Sequence, residues 1–530
     1  MALNKRDKAA TLASESARGA AAVSPHYLAS ETAMDIMRTG GSAIDAAIAA
    51  NAVLGVVLPS TCGPGGDLFA LVHGPGFDAP TCLNASGRAG SGASAERLRQ
   101  EGQIRVPLRG LDSITVPGAV DGWIALHDRY GTIDMETILA PAIELATNGF
   151  PVSYEFSQSL GRMHEMIGDQ ASARPLYVDG VPAPGSTLRR VRHAEALRTI
   201  ATLGRDGFYG GDVGAAIVTT TQGRITPDDL AVGQAEWVEP VGLDVFGLTG
   251  WTVPPNSQGY LSLATLKIFE FLDPPHDPTD PLFHHALIEA YRSVARERDF
   301  YVSDPTTAKS VDFLLGRARL KRRAERISME HTTHWRLPAA APGGTAFLAT
   351  RDWSGMGVSF IQSNFWGIGS GFSAGNTGIF LHNRGASFNL TPGHGNELKP
   401  GRRPLHTLAP TIWTKDGSTS LILGTRGGDF QPQIVAQVAA SLLHAELSPS
   451  HAQAAPRWKF EHDGPEGEPV LSLEPTLHDK CGAALTRIGH RVHRYEQSTE
   501  GWGPVSLIDE RVRLVAAADP RVSTATALAE

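Results

Sequence analysis

The sequence predicts an α/β (α+β) fold, and three features of the 530-residue chain carry that expectation. Apolar residues recur at helical spacing between Ser30 and Val57, residues 68–73 form a nearly unbroken apolar run of strand length, and residues 345–362 read as two strands joined by a tight turn. No internal repeat is found, and the only biased stretch is the Ala-rich start.

Taken in order, Ala33, Met34, Met37, Ala43, Ile44, Ala47, Ile48 and Val53 form the first helical stripe. Gly40-Gly41 interrupts it as a helix stop, so two packed helices are expected. The second ends in the apolar stretch from Val53 to Leu58, far short of the ~20 residues that span a bilayer. Cys62-Gly63-Pro64-Gly65-Gly66-Asp67 is a sharp turn feeding a buried strand at 68–73. Helical periodicity returns over 118–150 and 285–300. Between 330 and 344 the pattern collapses into Leu337-Pro338-Ala339-Ala340-Ala341-Pro342-Gly343-Gly344, which supports neither helix nor central strand and reads as a linker or exposed loop. Beyond it, residues 345–350 and 357–362 flank the turn Asp352-Trp353-Ser354-Gly355, so a hairpin strand begins at Thr345.

A chain with 42% hydrophobic and 19% charged residues is an ordinary globular protein, which excludes disordered, collagenous and membrane classes. The formal charge of −8 opposes a phosphate-binding surface, and no basic run exceeds Lys321-Arg322-Arg323, so no nucleic acid partner is expected. Cys62, Cys82 and Cys481 are odd in number and lack CxxC spacing, and they read as core fillers rather than disulfides or thiolate ligands. His285, His382 and His406 show no paired ligand spacing. No metal or other cofactor is therefore expected. The first residues lack the apolar stretch of a secretory signal, which points to a cytoplasmic protein without a membrane partner.

Several stretches, in order, resemble the γ-glutamyltransferase family: Gly40-Gly41-Ser42-Ala43-Ile44-Asp45-Ala46-Ala47, the 62–67 turn, Val116-Pro117-Gly118, Pro254-Pro255-Asn256-Ser257-Gln258-Gly259, Glu289-Ala290, Arg298-Asp299, Arg403-Pro404-Leu405, Gly427-Gly428 and Asp519-Pro520-Arg521. The similarity runs from about residue 18 to the end. It implies a four-layered αββα N-terminal-nucleophile hydrolase sandwich, made as a precursor that cuts itself before a threonine. The expected products are a large subunit, 1–344, and a small subunit, 345–530, with further oligomerisation open.

Two threonines compete for the cut. Thr332-Thr333-His334 copies the start of the family's best-known small subunit, but Trp335-Arg336-Leu337-Pro338 follows and cannot continue as a central strand. Thr345 heads a hairpin, has Asp352 seven positions on as the family does, and follows Gly344, whose small size helps a hydroxyl reach its carbonyl. Thr345 is the expected nucleophile. A threonine hydroxyl needs a base, and a new N-terminus supplies one in its own α-amine, so cutting Gly344-Thr345 creates nucleophile and base together. The resemblance further assigns Ser363 as the hydroxyl that bonds the nucleophile, and Gly427 and Gly428 as the pair whose N–H groups stabilise the oxyanion. The alternative for the glycines is a turn after the apolar run ending at Gly424.

The substrate pocket departs from the family. Glutathione-cleaving members carry Asn-Gln-x-x-Asp-Phe for the donor's α-ammonium, whereas this chain has Asn383-Arg384-Gly385-Ala386-Ser387-Phe388. Ser387 replaces the acid, and Arg384 adds a cation that repels an ammonium. After the Arg-Pro-Leu motif, His406-Thr407 stands in place of two serines. Arg88 lies two positions after the family's carboxylate-gripping arginine. If Arg88 and Arg384 face the pocket, the acyl group bears a terminal carboxylate without an amine, as in glutaryl; either arginine is otherwise a surface side chain. Gly367-Ile368-Gly369-Ser370-Gly371 lacks the lysine and helix of a phosphate loop and reads as a flexible segment at the pocket entrance. The expected partners are a small-molecule acyl donor, γ-glutamyl or glutaryl-like, and a water or amine acceptor. The competing readings are a relative shifted to another bond, such as a glutaryl-type acylase or a carbon–carbon bond hydrolase, and an unprocessed scaffold.

Overall fold

Two seven-stranded antiparallel sheets lie face to face in the computed structural model, which describes residues 13–16, 19–333, 343–462, 469–496 and 502–530. One sheet runs, neighbour to neighbour, Thr526–Ala529, Ala21–Ser24, Gly344–Arg351, Gly357–Phe365, Asp67–His73, Thr81–Ala85 and Glu236–Val238. The other runs Ala13–Ser16, Leu514–Ala518, Val505–Asp509, Ser418–Thr425, Thr411–Lys415, Leu248–Thr252 and Val241–Val245.

The period of two along each strand sorts its side chains between two cores. Phe69, Leu71, Phe347, Ala349 and Ile361 meet Ile412, Ile422 and Ile508 between the sheets. The intervening Leu68, Ala70, Val72, Leu348, Val358 and Phe360 pack under helices Tyr27–Arg38 and Ala43–Val57. On the far side Trp413, Leu421, Leu423 and Leu507 pack under helices Tyr260–Leu272, Pro281–Ala295 and Gln431–Leu443. The result is the expected αββα sandwich.

The helix pair divided at Gly40-Gly41 forms as its spacing predicts. Ser42 and Asp45 close a reciprocal capping box at the start of Ala43–Val57, and every residue of that helix is buried. Such a helix is apolar on all sides because it lies between another helix and the sheet. Helices Ala119–Tyr130 and Met135–Asn148 fill the 118–150 region. Pro281–Ala295 and the short Arg298–Tyr301 cover the 285–300 region. All three cysteines are free and buried.

The hairpin also forms, with its first strand beginning at Gly344. Asp352 fixes the turn: one carboxylate oxygen accepts from Ser354 N (2.9 Å) and Met356 N (3.2 Å). The other oxygen accepts from Ala43 N (2.9 Å), tying the turn to a helix start. Gly65 and Gly66 are required by close backbone approach, since added Cβ atoms would lie 2.1 Å from Phe380 O and 2.4 Å from Ser363 O. Residues 334–342, which carry most of the expected linker, lie outside the described residues, as do residues 1–12.

Candidate active site

Thr345 lies at an irregularity in the ladder, where the register between the hairpin strands shifts between Gly344 and Ala346. Its side chain is buried, and its hydroxyl lies 3.4 Å from Ser363 Oγ. Ser363 Oγ donates to the carbonyl oxygen of Gly344 at 2.5 Å and accepts from Phe365 N at 2.7 Å. A bulge turns a side chain out of the regular alternation and re-aims it. Here it leaves the Gly344-Thr345 peptide bond, the Thr345 hydroxyl and the Ser363 hydroxyl in one connected hydrogen-bond chain.

Gly427 and Gly428 follow strand Ser418–Thr425 with φ of 128° and 57°, in the half of conformational space that favours glycine. An added Cβ on Gly343 would sit 3.0 Å from Gly428 Cα, so Gly343, just before the Gly344-Thr345 bond, runs against Gly428. Gln258 bridges the neighbourhood, because its side-chain amide donates to Thr407 O (3.0 Å) and to Gly428 O (3.1 Å). Behind the pair, Asp429 is ion-paired to Arg298 at 2.8 Å. Burial opposes the charge of Arg298, but Asp299 and Asp429 outweigh it and hold the guanidinium protonated.

Arg384 is 1% exposed, and its guanidinium carbon stands 3.7 Å from the centroid of the Phe365 ring. Its Nη1 donates to Thr407 Oγ1 at 3.2 Å. Among the described residues, Nε and Nη2 of Arg384 have no hydrogen-bond partner. Burial pushes its basicity down to about 9, against the charges of Asp67 and Asp429.

Asp67 is the buried centre of this neighbourhood. It accepts from Gly87 N (2.8 Å) and from His406 Nε2 (3.1 Å), and His382 Nδ1 stands 3.4 Å away. His406 Nδ1 accepts from Leu408 N at 3.3 Å, which leaves Nε2 to carry the hydrogen toward Asp67. Burial of Asp67 works against its charge, but His382 and His406 outweigh it and hold the carboxyl well below the usual range. Burial, with Arg384 nearby, pushes His406 down to about 3, so its ring is neutral.

The structure therefore gathers Thr345, Ser363, Gly344, Gly427, Gly428, Arg384, His406 and Thr407 around two linked networks. Arg88 is elsewhere. Its guanidinium is ion-paired to Glu236 and donates to Gly233 O (3.3 Å), so its charge is already matched. Ser387 is half-buried, and its carbonyl accepts from Asn396 Nδ2 at 2.6 Å. Thr333 N donates to Glu289 on helix Pro281–Ala295, outside both networks. The segment 367–371, expected to be flexible, is instead pinned: Arg109 donates to Trp366 O (2.6 Å) and Gly369 O, and Gly110 N to Ser370 O (3.0 Å). Its glycines at φ of 52°, 81° and 84° serve the turns of that pinned path. Sequence reasoning assigned no role to Asp67, Gln258 or Phe365. The first two stood inside motifs already singled out, and for Asp67 a polar residue following a glycine-rich turn was the available signal.

Among the described residues, no group of His, Cys, Asp and Glu could hold a metal ion, and no helix is long and apolar enough to cross a membrane.

Comparison with known proteins agrees with this architecture. The chain is 37% identical to the glutathione hydrolase-like YwrD proenzyme of Bacillus subtilis, over 94% of this chain and 96% of that protein. It is 34% identical to the oxamate amidohydrolase proenzyme of Klebsiella pneumoniae, over 96% and 98%. The crystal structure of cephalosporin acylase from Bacillus halodurans superposes with a TM-score of 0.89 at 32% identity, covering 97% of this chain and 96% of that one. The family model for gamma-glutamyltranspeptidase matches residues 29–529. With the αββα sandwich and the match along nearly its whole length, the chain belongs to the γ-glutamyltranspeptidase family of N-terminal-nucleophile hydrolases.

Proposed function

We propose that the protein is a self-processing amidohydrolase that cuts its own Gly344-Thr345 bond and then transfers acyl groups through an ester on Thr345. The observation that carries this reading is the chain of contacts from Thr345 Oγ1 to Ser363 Oγ to Gly344 O. Ser363 polarises the Gly344 carbonyl while standing beside the attacking hydroxyl. Attack of Thr345 Oγ1 on the Gly344 carbonyl carbon forms the ester and breaks the C–N bond, and the hydroxyl proton passes to the freed nitrogen. Water then hydrolyses that ester, leaving the Gly344 carboxylate and a free α-amine on Thr345.

In the cut protein that α-amine, with a pKa of about 8 for an ordinary N-terminus, is the base for the adjacent hydroxyl. Departure of residues 343–344 from Gly428 clears the place where a substrate carbonyl would lie, with the Gly427-Gly428 amides as its oxyanion donors. The name of the oxamate amidohydrolase relative supports hydrolysis, with water as the acceptor, in this reading. Intact mass and N-terminal sequencing of wild type and Thr345→Ala test the reading. Two chains, the smaller beginning at Thr345 and absent in the variant, are expected; a single uncut wild-type chain without amide hydrolysis would sink it.

A further inference from the structure

Resting on that acyl-transfer reading, we propose that Arg384 anchors one carboxylate at the far end of the acyl group. The donor is then the monoamide of a short dicarboxylic acid that carries no α-ammonium.

The open edge of the guanidinium is the first reason. A guanidinium is planar, and Nε–H and Nη2–H lie side by side along one edge of it, spaced to meet the two oxygens of a carboxylate. In Arg384 the opposite group, Nη1, is engaged by Thr407 Oγ1, while Nε and Nη2 are the atoms left without a partner in a side chain that is 1% exposed. Buried donors are normally paired, and a buried cation more so. The unpaired set is therefore a fork of the right shape for an incoming anion.

The neighbouring acids do not fill it. Asp67 is held by Gly87, His406 and His382, and Asp429 by Arg298. Arg88 does not add a second cation here, since it is turned to Glu236, a carboxylate it shares with Arg403. One carboxylate satisfies the site. An α-ammonium would meet the guanidinium with both nearby acids already engaged, and like charges in such a place repel.

The position relative to the reacting bond sets the length. The guanidinium stacks on Phe365, Phe365 N donates to Ser363 Oγ, and Ser363 Oγ touches both Thr345 and the Gly344 carbonyl. Arg384 is thus keyed to the nucleophile through a single strand residue, and on this proposal the acyl chain that joins them is short.

The experiment compares wild type, Arg384→Lys and Arg384→Met on glutaryl-, pentanoyl- and L-γ-glutamyl-p-nitroanilide, alongside calorimetric titration with glutarate and pentanoate. Wild type should favour the glutaryl anilide by about 100-fold or more in kcat/KM, because a site built to hydrogen-bond a group rejects the analogue lacking it. In Arg384→Met that advantage should fall to near unity through KM of the glutaryl anilide, with circular dichroism and the unfolding midpoint reporting an intact fold. Should that variant not fold, competition decides: glutarate inhibiting wild-type hydrolysis of the pentanoyl anilide where pentanoate does not supports the anchor. Equal use of glutaryl and pentanoyl groups, or preference for γ-glutamyl, overturns it. A wild-type chain that stays uncut removes the acyl-threonine reading separately; glutarate binding lost in Arg384→Met would then keep the anchor, and no glutarate binding to wild type would overturn it.

Discussion

Ser363 serves three neighbours with one oxygen, accepting from Phe365 N and from Thr345 Oγ1 and donating to Gly344 O, so its orientation is fixed before any reaction begins. Ser363→Ala removes the donor that polarises the bond proposed to be cut. Self-cleavage should slow by about 100-fold, the usual effect of losing one such donor, while Ser363→Thr keeps the hydroxyl and most of the rate. A time course of precursor and products on a denaturing gel checks this, and an alanine variant that processes at the wild-type rate removes Ser363 from the mechanism. The α-amine of Thr345 sets a second expectation. It must be neutral to take a proton, so kcat/KM of the cut protein should fall as pH drops below about 8 and level off above it. His406, pushed down to about 3, adds no further inflection near neutrality.

At the level of elements, the closing segment Asp519-Pro520-Arg521 illustrates how a motif holds the sandwich together. Asp519 is buried, accepts from Arg457 Nη2 (2.6 Å) and Val505 N (3.0 Å), and pairs with Arg521 at 3.1 Å. Burial opposes its ionisation, but Arg457 and Arg521 outweigh it and lower its pKa. Its contribution is therefore present at neutral pH and is lost as pH falls through the folded-state value. Removing one partner of such a pair strands the others, so Asp519→Ala should destabilise by roughly 3–5 kcal/mol, seen as a lower unfolding midpoint. The elements themselves were largely legible. The Ser30 to Val57 stripe, the glycine-rich turn and the hairpin after Gly344 each depend on neighbours within a few residues, and periodicity captures local order. The convergence of Asp67, His382, Arg384 and His406 was not legible, because Asp67 and His406 stand 339 positions apart and meet only when the strands stack. Arg88 was misleading for the same reason: nothing local announces Glu236 as its partner.

On the scale of the molecule, the proposed cut divides the chain without dividing the fold. Residues 1–344 supply Ala21–Ser24 and Asp67–His73 to one sheet and Val241–Val245 and Leu248–Thr252 to the other. Residues 345–530 supply Gly344–Arg351, but for its first residue, and Gly357–Phe365 between the first pair and, in the other sheet, the four strands that run from Leu248–Thr252 to the Ala13–Ser16 edge, and Arg426 of the second segment is ion-paired to Glu155 of the first at 2.6 Å. The two products should therefore co-elute in size exclusion at high salt and separate only in denaturant. Separation under native conditions would contradict this interleaving.

That interleaving has a kinetic consequence. An intact precursor brings its strands together within one molecule, whereas two severed chains unfolded together must first find each other. Refolding of Thr345→Ala should be independent of protein concentration, and recovery of the cut protein should fall steeply on dilution. A single intramolecular cut would thus make assembly a one-way passage, in which the working form is reached through a chain connection that it no longer possesses.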